Sequence, residues 1–265
     1  MGAVRPRPTV AVVGLGLVGG SLARALSEAG WSVLGLDRAR VLRRAKAAGA
    51  IGPFRIDLKA AAREADIIVL AAPPKANLGL LRELAALGTR GAITDVGSVK
   101  GPICREAARL GLDTFVGGHP MAGNERSGFS ASSPDLFRGR TWIVTGRSSS
   151  SMRAVRSMVR AVGARAYAMN AEDHDRAMAF LSHVPQVVSW ALLGCASRDA
   201  VARKHLAIAG PGFRDMTRLA ASPRTLWREI LKQNRPEVVR AIGKLARSLQ
   251  PAERLGARAR GEALW

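Results

Sequence analysis

Two kinds of apolar spacing divide the chain. Up to about residue 169, short runs rich in β-branched residues recur at 9–13 (TVAVV), 33–36, 67–72 (IIVLAA), 92–96 (AITDV), 115–117, 141–145 (TWIVT) and 165–169 (RAYAM). Stretches with helical spacing precede most of them, including 21–29, which stops at Gly30, and 152–162, which the serines of 148–151 are placed to cap. Strands alternating with helices predict a doubly wound parallel sheet, since parallel neighbours need a crossover and a helix supplies it. From Asn170 onward the strand signal stops. Residues 172–200, 214–221, 224–234 and 236–249 carry apolar positions three and four apart. Pro236 suits the first turn of the last segment, with Val238, Ile242, Leu245 and Leu249 on one face. The pattern predicts an α/β domain over 1–169 and an all-α domain over 170–265. A helical domain of that size buries little apolar surface alone, so its faces are expected to pack on the sheet domain or on another subunit. The arginine-bearing end, 251–265, is expected to fray.

The first strand runs directly into Gly14-Leu15-Gly16-Leu17-Val18-Gly19-Gly20, and the second ends in Asp37. Strand, glycine turn, helix, strand and acid within about 30 residues form the context of a Rossmann dinucleotide fingerprint. A Cβ in the turn would hold the backbone off a pyrophosphate, and the following helix N-terminus offers it N–H groups. Gly14, Gly16, Leu17, Val18 and Gly19 are therefore expected cofactor contacts, joined by Arg38, Ala72 and Pro73 at later strand ends. Asp37 can accept from both ribose hydroxyls and repels a 2′-phosphate, which favours NAD over NADP; Arg38 and Arg40 beside it soften that preference.

Composition adds exclusions. With 48% apolar and 23% charged residues, disordered, collagen-like and disulfide-scaffold classes are poor fits. Cys104 and Cys195 match no metal or redox spacing and read as buried thiols in a reducing compartment. The net charge of +21 attracts anions of every kind. Arginine outnumbers lysine 34 to 7 without a long basic run, and aromatics are only 5%, so no nucleic-acid partner is expected. The uncharged stretch Pro8–Ala23 follows Arg5 and Arg7 like a secretory signal, but it is shorter than the ~20 residues a bilayer needs and its glycines sit at turn positions. The chain is expected to be cytoplasmic, without a membrane partner.

Three further segments carry chemistry: Asp95-Val96-Gly97-Ser98-Val99-Lys100, then Gly117-Gly118-His119-Pro120-Met121-Ala122-Gly123, then His183 with Gly212-Phe213-Arg214-Asp215-Met216-Thr217-Arg218. With the glycine loop they resemble, in matching order from about Val10 to Trp227, the prephenate/arogenate dehydrogenase family of tyrosine biosynthesis. The resemblance implies a Rossmann domain, a helical dimerisation domain forming a homodimer, and an active site in the cleft between them. Family members oxidise the carbon bearing the ring hydroxyl of prephenate, passing hydride to NAD(P)+ as the ring carboxylate leaves as CO2. The product is 4-hydroxyphenylpyruvate, or tyrosine from arogenate, and no metal takes part.

By that resemblance His119 accepts the hydroxyl proton, which a neutral imidazole with an ordinary pKa of about 6.5 can do near pH 7. Ser98 orients His119, and its loop faces the nicotinamide. Arg218 grips a substrate carboxylate bidentately. His183, in a helix kinked by Pro185, lies on the substrate side, and Glu125 is a gating or orienting acid. Two positions depart from the family: Gln186 stands where many members have a second histidine, and Arg214 where lysine is common. Both bear on substrate identity, leaving arogenate or an amino-substituted prephenate as alternatives to prephenate. No regulatory domain or chorismate mutase is expected, so tyrosine inhibition would be competitive. Another two-domain dehydrogenase of the 3-hydroxyacid group would need a catalytic lysine, and Lys204 and Lys232 lie in poorly matching contexts. A basic nucleotide-sensing binding protein, supported only by the charge, is the alternative of another class.

Overall fold

Seven short strands, β1 (Thr9–Val13), β2 (Ser32–Leu36), β3 (Ile67–Leu70), β4 (Ala92–Asp95), β5 (Phe115–Pro120), β6 (Thr141–Thr145) and β7 (Arg165–Ala168), form one sheet in the order β2-β1-β3-β4-β5-β6-β7. The computed structural model describes residues 8–52, 57–124, 126–147 and 149–249. Helices α1 (Leu17–Glu28), α2 (Ala39–Ala47), α3 (Leu58–Glu64), α4 (Pro74–Leu87), α5 (Gly101–Arg109) and α6 (Ser150–Ala161) connect the strands. Alternate residues of β1 face opposite layers, as the pleat requires. Val10 and Val12 pack with Leu22 and Leu26 of α1 and Val155 of α6, while Ala11 and Val13 pack with Leu81 and Leu84 of α4. Burial on both faces explains why the central strands read as continuous apolar runs.

After β2 the chain crosses back over β1 to begin β3 on its other side. The carboxyl ends of β1 and β3 therefore flank a topological switch point, where open α/β sheets bind ligands.

Two expectations need correction. The sheet is not wholly parallel, because β6 pairs antiparallel with β5. Among the described residues between them the chain makes two 3-10 turns, Phe129–Ala131 and Pro134–Phe137, and no crossover helix, which a parallel return would need. Helix α6 supplies a crossover next, and β7 is again parallel to β6. Second, α1 begins at Leu17 rather than residue 21, so Gly19 and Gly20 are helical despite their poor propensity. Close packing demands them: a Cβ on Gly19 would lie 1.9 Å from the Gly14 carbonyl oxygen, and one on Gly20 2.8 Å from Phe129. The capping expectation at α6 agrees with the structure, where the Ser149 hydroxyl accepts from the Met152 N–H.

A second compact unit begins at Asp175, inside α7 (Ala171–Met178). It continues through a π-turn, Ala179–His183, then α8 (Val184–Arg198), α9 (Ala200–Lys204), α10 (Pro211–Thr217), α11 (Arg224–Gln233) and α12 (Arg235–Leu249). Pro185 has no N–H and crowds the carbonyl four residues back, and the wider π-turn absorbs that defect. The core of this unit is small, with Ala179, Val184, Val238 and Ala241 buried and Leu245 partly buried against them. Of the four residues expected on one face of α12, Ile242 and Leu249 are exposed. Neither cysteine forms a disulfide, but Cys104 is only half-buried and Cys195 lies exposed on α8, contrary to the expected burial.

The run Ala171–Arg198 is long and apolar enough, by length and composition, to cross a membrane. It also carries His174, His183 and Gln186, polar side chains fully buried and hydrogen-bonded within the protein, as in a bundle helix. Residues 251–265 lie outside the described residues.

Candidate active site

The glycine turn is held by backbone geometry. Gly14 has φ +95°, a conformation L side chains rarely adopt, and a Cβ there would also meet the Ala71 backbone at 2.7 Å. Gly16 caps α1 with no side-chain hydrogen bond, and a Cβ added to it would meet nothing within 4 Å. The first turn of α1, containing Leu17 and Val18, has no side-chain cap, and a helix start of this kind offers an anion N–H groups and the positive end of the helix dipole. Asp37 stands beside it, Oδ2 accepting from the Leu15 N–H at 2.7 Å and Oδ1 from the Arg38 N–H at 2.6 Å. Each oxygen keeps a lone pair for a further donor.

Ala72 and Pro73 follow β3 at the switch point. The buried Asn77, which sequence reasoning missed, pins them: its Oδ1 accepts from the Ala72 N–H at 3.1 Å and its Nδ2 donates to the Leu70 carbonyl at 3.2 Å. Ser98 follows at the end of β4. The glycine turn, Asp37, Ala72, Pro73 and Ser98 thus line the carboxyl ends of four adjacent parallel strands, an arrangement that fits a dinucleotide.

His119 lies on the neighbouring strand β5, which extends through Pro120 rather than ending at 117. Its ring is 7% exposed, and Nδ1 lies 2.8 Å from Nε2 of the fully buried His174, the rings meeting edge to face. Nδ1 of His119 thus meets His174, a residue the sequence reading does not single out.

Beneath His119 sits a buried ion pair between Lys100 and Asp95, 0% and 1% exposed. Asp95 Oδ2 also accepts from the Gly97 N–H at 2.9 Å, and Oδ1 from the Gly118 N–H at 3.0 Å. Lys100 Nζ donates to the Gly118 carbonyl at 2.7 Å. The two side chains therefore clamp both polar groups of the residue before His119 and tie its strand to the loop that carries Ser98. Gly117 and Gly118 are the packing condition for this. A Cβ on Gly117 would lie 2.2 Å from Thr145 Oγ1, and one on Gly118 2.3 Å from the Asp95 carbonyl oxygen. A cavity of about 330 Å³ lined by Met121, Ala122, Gly123, Leu136 and Arg140 begins two residues beyond His119.

The remaining expected substrate residues belong to the second unit, except Glu125, which lies outside the described residues. His183 and Gln186 are fully buried one turn apart. His183 Nδ1 is 3.1 Å from Asn234 Nδ2, which also donates to the Asp175 carbonyl. Gln186 Nε2 donates to the Leu219 carbonyl at 2.7 Å, which brings it against the 3-10 turn that Arg218 opens. Arg218 is exposed, and so is Arg214, whose Nε donates to the Ala209 carbonyl at 3.1 Å.

Comparison with known proteins gives a concordant result. A family model described as prephenate dehydrogenase, nucleotide-binding domain, matches residues 22–168, and one described as prephenate dehydrogenase, dimerization domain, matches 170–265. A prephenate dehydrogenase of Lactococcus lactis subsp. cremoris is 34% identical over 239 residues, covering 86% of this chain. The chain spans 65% of that relative's length. Among solved structures, Synechocystis arogenate dehydrogenase superposes with a TM-score of 0.83 at 28% identity, over 94% of this chain and 92% of the other. Prephenate dehydrogenase from A. aeolicus in complex with hydroxyphenyl propionate and NAD+ gives 0.82 at 27% identity, over 97% and 93%.

Proposed function

The chain belongs to the prephenate dehydrogenase family, and from that premise we propose that it catalyses the NAD-dependent oxidative decarboxylation of prephenate to 4-hydroxyphenylpyruvate. The observation that carries this reading is the placement of His119, a buried imidazole in the row of strand ends that also holds the glycine turn, Asp37 and Ser98. His119 Nε2 takes the proton of the substrate's ring hydroxyl. NAD+, which the glycine turn and Asp37 would hold, would supply the acceptor for the hydride of the same ring carbon. The ring carboxylate leaves as CO2, aromatisation drives that loss, and His119 returns its proton to the phenolate oxygen. The reaction neither gains nor loses a net proton.

Arg218 binds a substrate carboxylate, and His183, Gln186, Arg214 and Glu125 line the rest of the substrate. Asp37 selects NAD over NADP by accepting from the ribose hydroxyls and repelling a 2′-phosphate. The enzyme is a soluble cytoplasmic homodimer joined through the helical domain. The dimerization-domain match and the apolar residues exposed on α12 support that assembly. Arogenate is the second reading for the substrate. Its supports are the likeness to an arogenate dehydrogenase and the glutamine at 186, which reads a keto or amino side chain by hydrogen bonding alone.

The test is NADH absorbance with purified protein, prephenate or arogenate, and NAD+ or NADP+. Reduction with prephenate and NAD+ is expected, and His119→Asn should lower that rate by about 10²- to 10⁴-fold. Reduction with arogenate alone moves the substrate. Silence with folded, NAD+-binding protein overturns the reading.

A further inference from the structure

The contact between His119 and His174 decides which nitrogen of the proposed base carries a proton. At 2.8 Å, one ring nitrogen must donate and the other accept. Were His119 Nδ1 the acceptor, the neutral ring would carry its proton on Nε2. Its other edge would then be a donor, unable to take a hydroxyl proton. Were His119 Nδ1–H the donor, Nε2 would keep its lone pair. Both rings are buried, so water does not compete for this contact.

Resting on the reaction proposed above, the geometry points to His174 as a positioning residue that locks His119 in the Nδ1–H tautomer. His174 Nε2 accepts the His119 Nδ1 proton, and His119 Nε2 is left as the base. His174 thus does for this imidazole what a buried carboxylate does in a Ser-His-Asp triad, holding tautomer and orientation, without placing a second charge in the site. The acceptor also stabilises the imidazolium formed when His119 takes the substrate proton, because a hydrogen bond from a charged donor is stronger than one from a neutral donor.

The chain has four histidines, so a long-range proton–nitrogen spectrum of protein labelled with ¹⁵N-histidine contains four ring systems. His119→Asn and His174→Gln identify the two of interest. In the neutral wild-type protein, His119 Nδ1 should show a protonated, pyrrole-type shift and Nε2 a pyridine-type shift. The reverse pattern overturns the proposal without any variant or substrate. In His174→Leu the His119 pattern should change. Turnover should then fall by about 10²-fold or more, with KM for NAD+ unchanged. His174→Gln, whose side-chain oxygen reaches the position of Nε2, should keep the Nδ1–H pattern and most of the rate. An unaltered His119 spectrum in His174→Leu reduces His174 to packing and overturns the proposal. A wild-type protein with the expected spectrum that turns over neither substrate overturns the reaction reading and leaves the tautomer lock standing.

Discussion

The sheet unit and the helical unit treat apolar surface in opposite ways. In the first, both faces of the sheet are covered by helices of the same unit, and the polar groups of Gly118, next to His119, are taken up by Lys100 and Asp95. In the second, six apolar residues are buried among the described residues, four of them in one cluster. Nine of the ten large apolar residues exposed among the described residues belong to it, Tyr167 being the exception. The difference teaches that the sheet unit completes its own structure, whereas the helical unit presents surfaces that need something else to cover them.

The largest effect should come from breaking the closed assembly. Lys100→Met keeps the volume of the side chain but leaves Asp95 charged and buried under β5. Removing one partner of a buried pair costs about 3–5 kcal/mol, far more than the intact pair is worth against an apolar substitute. Thermal unfolding should shift down accordingly, and Asp95→Leu combined with Lys100→Met should recover part of the loss. A single-variant cost under about 1 kcal/mol would mean that Asp95 finds water or another donor, and the assembly would not be closed.

An intermediate effect belongs to the open unit. Val239, Ile242 and Leu249 of α12 are 60%, 36% and 59% exposed, and their spacing of three and seven residues aligns them on one side of the helix. Covering each such side chain in an interface is worth roughly 1.5–3 kcal/mol. Val239→Glu with Ile242→Glu should convert the proposed dimer to monomer in sedimentation, while the melting of the sheet unit stays unchanged. An unaltered mass would place the subunit contact on another face of the unit.

Much of this contrast was legible in the chain, for identifiable reasons. Strands buried on both faces leave continuous apolar runs, and the glycine turn is set by residues within a few positions of each other, so both survive in a local reading. The start of α1 was not legible, because its positions 19 and 20 must be glycine to admit Gly14 and Phe129, contacts that propensity does not contain. Nor was the direction of β6, which follows from the missing crossover helix rather than from its own residues. The acid and lysine of DVGSVK stood out as a motif. Their burial as a pair did not, since a lysine is ordinarily a surface residue. His174 meets His119 across 55 positions, and nothing near it in sequence marks that meeting. The exposure of Cys195 was not legible either, since the usual burial of a thiol is an average tendency that nothing near it in sequence fixes at one position.

The smallest effect separates burial from charge within the sheet unit itself. Glu106 of α5 receives Arg109 Nη2 at 2.9 Å and Arg82 Nε of α4 at 2.5 Å, a geometry as direct as that around Asp95. The Arg109 hydrogen bond, then that of Arg82, lowers its carboxyl from 4.5 to about 2. A carboxyl whose folded pKa is depressed contributes its stabilisation fully above the unfolded value and loses it as pH falls through the folded one, here between about 4.5 and 2. The arginine side chains are 59% and 64% exposed, however, and solvent screens such pairs almost to nothing. Glu106→Gln should therefore lower the melting temperature at pH 7 far less than Lys100→Met does, and that small difference should vanish as pH falls from about 4.5 to 2. If it instead lowered stability at pH 7 as much as Lys100→Met, exposure would not be what distinguishes the two ion pairs. The closed assembly under His119 would then owe its strength to charge alone.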